Sequence, residues 1–183
     1  DFNDLGYMRR QNWFRASANV EYRTLKPWRS TLETHTRFEF FHRNNLDGLT
    51  LARGYQINST VRFRNFWELF IELHYRESYF DDREVGNGTA LQRAGLVGVE
   101  VAVSSDRRRR VYGDLFTQIQ PLFNGFNFAM EGDITFRLLP QLDLQLLPQA
   151  VYTFGEPRYV GVGAASSDYL FGRLEAKSVG ATL

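Results

Sequence analysis

The chain has 183 residues, enough for one domain with a sizeable core if the protein is soluble. Its 22 lysines and arginines nearly balance 21 aspartates and glutamates, so no strong overall charge indicates a nucleic-acid partner. The absence of cysteine excludes disulfides and thiolate chemistry, and the sequence has no apolar run of the roughly 18 residues that a spanning helix needs.

An alternation of apolar and polar residues with a period of two runs along the chain and predicts β-strands. No stretch has a helical period or a linker composition, so we expect residues 1–183 to form one all-β domain. The predicted strands, in chain order, are "FRASANVEY" (14–22), "LETHTRFEF" (32–40), "YQINSTVRF" (55–63), "WELFIELHYR" (67–76), 97–104, 111–120, 132–139, 142–154 and a ninth run that begins "FGRLEAKSV" at 171.

The connections between these runs alternate in length. Short turns are predicted near Pro27, Asn65, Asp106 and Pro140. Longer links, rich in Gly, Asn and Asp, are predicted at 44–52, 80–93, 121–125 and 155–168. Short turns at one end and long loops at the other are typical of an antiparallel up-and-down β-barrel of the transmembrane type.

The faces of the strands favour a barrel that crosses a membrane. The runs exceed the ~5–6 residues usual in soluble strands and reach the ~9–11 that a spanning strand needs. Aromatic residues gather near both ends of the runs, as in the aromatic girdles of outer-membrane barrels. We therefore expect the apolar face to meet lipid and the polar face to line a lumen. A soluble lipocalin-like barrel with an apolar interior is the alternative.

This arrangement assigns residues to three environments by their parity along each strand. The lumen-facing residues are Glu33, His35, Arg37, Glu39, Arg62, Glu68, Glu72, His74, Arg76, Glu100, Asp114, Glu131, Asp133, Arg137 and Asp143. The lipid-facing residues are Val20, Phe38, Ile71, Leu73, Val99, Val101, Ile134 and Leu144. The interfacial aromatic residues are Trp13, Trp28, Phe66, Trp67, Tyr75, Tyr79 and Tyr152.

The motifs that could carry chemistry are few. The run Arg107, Arg108, Arg109, Arg110 at a short turn fits either a solvated hairpin tip or a site for anionic lipid head groups. His35 and His74 are interpreted as hydrogen-bonded wall residues, so no metal ligand and no cofactor is predicted.

An enzymatic site is not expected either. A rim hydrolase would need a nucleophile beside a base, and the candidate serines have no histidine next to them in the sequence. These serines are Ser104, Ser105, Ser166 and Ser167. We therefore predict a protein without catalytic residues.

Two segments, "NDLGYMRR" (3–10) and "YLFGRLEAKSVGATL" (169–183), resemble an uncharacterised family of bacterial outer-membrane proteins. In that family a periplasmic domain similar to carbohydrate-binding modules precedes a large C-terminal barrel. The resemblance implies a barrel fold and a location in the bacterial outer membrane. It implies no catalytic role.

The favoured function is a pore or transport component with a polar, charged lumen. The alternative is a structural or binding barrel with a closed lumen, which anchors a glycan-binding periplasmic domain in the membrane. The expected partners are the lipid bilayer, lipid head groups, further barrel strands from the same or another chain, and glycans or other envelope proteins. No nucleic-acid partner is expected.

The strand directions predict that these runs do not close a barrel. The first run leads from about Asn12 into the short turn at Pro27, so residues 1–10 should lie at the outer end and another strand should precede it. An all-antiparallel barrel then needs at least 10 strands. The first run should not pair with the eighth or ninth. Pro148, which lacks an N–H, predicts a gap or bulge in the ladder of the eighth run.

Overall fold

The computed structural model describes residues 12–122, 124–165 and 168–183. These residues form an all-β structure without regular helices. The strands are β1 (Phe14–Thr24), β2 (Thr31–Asn44), β3 (Thr50–Phe63), β4 (Glu68–Arg76), β5 (Tyr79–Asp81), β6 (Leu91–Arg93), β7 (Leu96–Ser104), β8 (Val111–Leu122), β9 (Gly125–Leu139), β10 (Leu142–Val162) and β11 (Tyr169–Thr182). The residues that the structure describes include no helix long and apolar enough to cross a membrane.

A single nine-stranded antiparallel sheet contains most of these strands, in the order β1-β2-β3-β4-β7-β8-β9-β10-β11. Strands β5 and β6 pair only with each other and form a small hairpin between β4 and β7. Apart from this hairpin, each strand lies beside the one that precedes it in the sequence. The all-β, antiparallel, up-and-down prediction with about 8–9 strands is confirmed.

The sheet is open, so the predicted barrel is not closed by the described residues. Strand β1 pairs with β2 alone and β11 with β10 alone. This agrees with the expectation that the first strand does not pair with the last ones. Because neighbouring strands alternate in direction, β1 and β11 run in the same direction. Residues 1–10, expected at the outer end, lie outside the described residues.

The register aligns residues of one kind into rows across the sheet. One apolar row crosses β1 to β10 and consists of Val20, Phe38, Ile57, Leu73, Val99, Ile119, Phe128 and Tyr152. The next row, on the opposite face, contains Glu21, Arg37, Asn58, Glu72, Glu100 and Gln118. The sheet is therefore amphipathic over most of its width.

Little apolar surface is buried within the described residues. Leu51, Ala52 and Leu96 are the buried hydrophobic side chains there. A compact soluble domain of this length buries far more of its apolar surface. The sheet thus has no apolar core of its own between the described strands.

Strand β10 is longer than the sequence pattern predicts. The link expected at 155–168 is strand as far as Val162, because register shifts beside Gly155 and Val160 absorb extra residues without ending the strand. Gly155 has a φ of 81°, a conformation that glycine adopts at β-bulges. The long link expected at 121–125 is also shorter, because β8 ends at Leu122 and β9 begins at Gly125.

The predicted gap at Pro148 is present. The β9–β10 ladder pairs Leu146 with Ile134 and resumes with Gln149 and Glu131, in unchanged register. On the other side Pro148 pairs with Ala181 of β11. A Cβ atom on Gly132 would lie 2.9 Å from Pro148 Cγ, so glycine at this position makes room for the proline ring.

Candidate functional site

The two faces of the main sheet carry the two predicted residue sets. We call the face with Glu72 and Glu100 the polar face, and the face with Phe38 and Leu73 the apolar face. All of the predicted lumen residues share the polar face by register, and all of the predicted lipid-facing residues share the apolar face. Leu73 is 48% exposed, whereas the Glu72 side chain is 14% exposed. The medium that each face meets stays a prediction.

Two carboxylates lie directly opposite each other at the centre of the polar face. Glu72 of β4 pairs in register with Glu100 of β7, an arrangement of like charges that disfavours the pairing. Each carboxylate accepts an amide hydrogen bond of 2.8 Å, Glu72 from Gln56 Nε2 and Glu100 from Gln118 Nε2. The imidazole Nδ1 of His74 lies 3.5 Å from Glu72 Oε1. These amides and the imidazole partly offset the repulsion.

The same cluster has the composition of a cation site. One ligand atom each from Glu72, His74 and Glu100 lie within 4.8 Å of one another. Carboxylate oxygen and imidazole nitrogen suit several divalent metals. Sequence reasoning interpreted His74 as a wall residue, and its hydrogen-bonded position is compatible with that interpretation.

Gly98 fixes where His74 can lie. The imidazole ring of His74 occupies the space that a side chain on Gly98 would need. From there, His74 Nε2 lies 3.5 Å from Gln120 Nε2, and Asn127 Nδ2 donates a 3.2 Å hydrogen bond to Gln120 Oε1. Sequence reasoning missed these glycine and amide residues, although their parity places them on the polar face. The polar network therefore extends from β3 across to β9.

A hairpin crosses the polar face at the end where this network stops. We call residues 77–95, which include β5 and β6, the cap hairpin. It starts beside β3, where Glu77 N donates to Arg53 O at 2.8 Å. Its other end contacts β11. There the Tyr169 hydroxyl lies 2.9 Å from Thr89 Oγ1 and accepts a 3.2 Å hydrogen bond from Asn87 Nδ2. Five strands, β4 and β7 to β10, separate these two anchors in the sheet.

Further contacts hold the cap hairpin to β10. Tyr159 N donates to Glu84 Oε1 at 2.9 Å, and Arg93 Nη1 donates to Pro157 O at 2.7 Å. Arg158 Nη1 lies 3.9 Å from Glu84 Oε2. Backbone groups of β10 take part in two of these contacts, so they depend on the shape of the bulged strand. No local pattern in the sequence predicted this crossing.

A cavity of about 330 Å³ lies between the cap hairpin and the polar face. We call it the capped cavity. Its polar lining includes Arg76, Arg93, Gln120, Asn127, Arg158 and Arg173. It therefore joins the end of the amide network to a group of arginines. Of these arginines, sequence reasoning identified Arg76 alone as a polar-face residue.

Acidic groups compensate two of the cavity arginines. Arg93 lies between Asp81 at 3.7 Å and Glu84 at 3.2 Å. Arg158 lies 3.2 Å from Glu156. The side chain of Arg93 is 11% exposed, so its charge is well shielded from solvent. This part of the cavity wall is a nearly neutral ion-pair network.

The other two cavity arginines have no carboxylate partner among the described residues. Arg76 stacks over the ring of Tyr79 at 4.4 Å, and its Nε is buried without a hydrogen-bond partner. Arg173 reaches the cavity from β11 and forms no ion pair with the described part of the chain. Asn127 Oδ1 is also buried without a partner. The cavity thus presents excess positive charge.

The remaining predicted polar residues form shorter ion-pair or hydrogen-bond links along the sheet. These links are Arg62 to Glu33 (2.8 Å) and Glu68 (3.1 Å), Glu39 to Arg37 (2.9 Å) and Arg15 (3.3 Å), His35 to Glu21 (3.4 Å), Arg137 to Asp143 (3.7 Å), Arg107 to Asp114 (2.8 Å) and Thr135 to Asp133 (3.1 Å). Glu131 lies on the same face and is exposed. These ion-pair and hydrogen-bond links include no residue that lines the capped cavity.

The four consecutive arginines are only partly available to head groups. Asp106 accepts two 2.8 Å hydrogen bonds from the guanidinium of Arg108, which also stacks over Phe66 at 3.4 Å. These bonds lower the pKa of Asp106 to about 2. Arg109 is exposed and lies 3.7 Å from Asp106, and Arg110 has no ion-pair partner within the described residues. The head-group prediction remains a prediction, carried by Arg109 and Arg110.

The predicted interfacial aromatics differ in their surroundings. Three of them stack against arginine guanidinium groups near strand ends: Trp13 with Arg43 (4.9 Å), Trp28 with Arg29 (4.6 Å) and Phe66 with Arg108 (3.4 Å). Trp67 and Tyr75 are exposed. Tyr79 instead lines the capped cavity. Tyr152 lies mid-strand, because β10 continues to Val162.

The serines considered for a hydrolase remain without a visible catalytic arrangement in the described part of the chain. Ser105 Oγ accepts a 2.8 Å hydrogen bond from Gly113 N, which gives it a structural role at the β7–β8 turn. Ser166 and Ser167 lie outside the described residues. The prediction of a non-enzymatic protein stays a prediction.

The described residues thus define a two-faced antiparallel sheet whose polar face is covered at one end by its own hairpin. A family model described as a domain of unknown function (DUF5916) matches residues 1–183, and the chain belongs to this family. Comparison with curated proteins and with solved structures finds no match. The family description carries no activity and no membrane assignment.

Proposed function

We propose that this sheet is part of the wall of a β-barrel in a bacterial outer membrane, where it serves as a pore or transport component. The apolar face meets lipid and the polar face lines the lumen. The observation that carries the proposal is the apolar row across β1 to β10, whose members Val20 and Leu73 are 71% and 48% exposed. A contiguous exposed apolar surface of this width needs lipid or protein to cover it.

The burial pattern counts against the soluble alternative. A lipocalin-like barrel would place its large apolar residues inside. Among the described residues, Phe38, Ile71 and Leu144 are instead exposed, while the polar face carries side chains such as Glu72 that are mostly covered. An apolar face turned outward and a polar face turned inward are the pattern of a membrane barrel.

The open edges indicate how such a barrel would be completed. Strands β1 and β11 run in the same direction, so an all-antiparallel closure needs an odd number of further strands between them. These strands come from other sequence of the same or another chain. Pairing is required in lipid, because unpaired backbone N–H and C=O groups cost several kcal/mol each there.

The cap hairpin favours a second candidate, a closed barrel. It crosses from β3 to β11 over the polar face and would obstruct a lumen at that end. In this case the barrel is a structural or binding element that anchors a glycan-binding periplasmic domain. Glycans or other envelope proteins are then the partners, and Arg109 and Arg110 contact lipid head groups.

Single-channel recording of the full-length protein in planar bilayers separates the two candidates. A pore gives discrete conductance steps, and Glu72→Lys should shift its reversal potential toward anion preference, because the side chain changes from acidic to basic on the lumen wall. Asp47→Lys makes the same charge change in the β2–β3 loop and should leave selectivity nearly unchanged. A folded protein that stays electrically silent would exclude the pore and support the closed barrel.

A further inference from the structure

Two residues that line the capped cavity each have a buried side-chain atom without a hydrogen-bond partner. Arg76 Nε is a buried donor without a partner, and Asn127 Oδ1 is a buried acceptor without one. Buried polar groups are nearly always hydrogen-bonded in folded proteins, and an orphan group points to a missing ligand or water. Both residues line the cavity, but these two atoms are almost inaccessible to solvent, so a ligand in the cavity would contact the other polar atoms of these residues.

The charges in the cavity wall favour an anion. Asp81, Glu84 and Glu156 are already paired with Arg93 and Arg158. The guanidinium groups of Arg76 and Arg173 remain without a carboxylate partner among the described residues. Guanidinium groups bind carboxylate and phosphate in a planar, bidentate manner.

We propose that the capped cavity binds a small anion that carries a carboxylate or phosphate group, held by Arg76 and Arg173. The cavity volume of about 330 Å³ is at the lower end of small-molecule sites and suits a compact solute. Gln120 and Asn127 line the cavity beside these arginines. Tyr79 holds the Arg76 guanidinium in place through its ring.

The site spans elements that are distant in the sheet order. Arg76 ends β4, Arg173 lies on β11, and the cap hairpin closes the space between them. Ligand binding should therefore strengthen the contact between the cap hairpin and β10–β11. The proposal concerns binding alone and holds whether the lumen conducts or is closed.

Isothermal titration of the full chain in detergent micelles tests the proposal, with inorganic phosphate and succinate as probes at constant ionic strength in sodium chloride. We expect saturable binding of at least one probe at a single site. Binding of phosphate alone or of succinate alone would identify which anion the site prefers. Arg76→Gln and Arg173→Gln should each weaken binding by about tenfold or more, since each removes a charged hydrogen bond.

Arg64→Gln is the matched control, because it removes the same charge from an exposed residue in the β3–β4 turn and should leave affinity unchanged. Tryptophan emission checks that each variant is folded, and Arg173 is exposed, so its substitution leaves the fold intact. No saturable binding of either probe would overturn the proposal. Binding that neither Arg76→Gln nor Arg173→Gln weakens would overturn it as well.

Discussion

The size and charge of single residues determine the geometry of the polar face. Gly98 provides the space in which His74 lies, and Asp106 orders the β7–β8 turn by accepting hydrogen bonds from the backbone N–H and the guanidinium of Arg108. The sequence predicted that His74 lies on the polar face and that the run of four arginines lies at a short turn. It did not predict their partners, because a partner such as Gln120 is brought to His74 by register and not by nearness in the chain.

The Asp106–Arg108 contact predicts a specific pH dependence. The pKa of Asp106 is lowered from 3.8 to about 2, so ionised Asp106 stabilises the folded state at pH values above about 4. This stabilisation should decrease as the pH falls below about 4 and disappear below pH 2, where Asp106 becomes protonated in the folded state too. Urea unfolding of the wild type and Asp106→Asn should therefore show a difference in stability that is constant above pH 5, falls as the pH drops below about 4 and is lost below pH 2. A difference that does not change with pH would contradict this role for the carboxylate.

At the scale of single elements, the period-two pattern was sufficient to locate the nine strands of the main sheet. It failed where glycine and proline suggested a loop, since Gly155 forms a bulge and β10 continues through Pro157. It also gave no sign that the cap hairpin crosses the polar face. Residues 77–95 lack strong alternation, and their position is set by contacts with residues such as Tyr159 and Tyr169, which are distant in sequence.

The fit between Gly132 and Pro148 predicts an interaction between two neighbouring strands. Gly132→Ala places a Cβ atom 2.9 Å from Pro148 Cγ and should lower the free energy of unfolding by about 1–3 kcal/mol through overpacking. In a Pro148→Ala background the proline ring is absent, so the cost of Gly132→Ala should be smaller by about 0.5 kcal/mol or more.

A double-mutant cycle, measured by urea unfolding in detergent micelles, checks this interaction. Gly161→Ala on β10 is the control, because its Cβ atom would have no neighbour within 4 Å and should change stability by less than about 1 kcal/mol. Strictly additive effects of Gly132→Ala and Pro148→Ala would show that the two residues do not constrain each other.

For the whole molecule, the main feature is a sheet with two chemically different faces and two open edges. Parity along each strand was enough to assign residues such as Val20 and Glu72 to opposite faces, because side chains alternate strictly in a β-strand. The capped cavity could not be predicted in this way. Arg76 and Arg173 are brought to one cavity by the order of the strands and by the cap hairpin.

The central claim, that the apolar face meets lipid, is tested most directly with nitroxide labels on adjacent residues of β4. The chain has no cysteine, so Leu73→Cys and Glu72→Cys each provide a unique attachment site. In full-length protein in lipid vesicles, the label at Leu73 should be relaxed by oxygen, which concentrates in the hydrocarbon region, and protected from a water-soluble nickel complex. The label at Glu72 should show the opposite preference. Free access of the nickel complex to the Leu73 label would contradict the account.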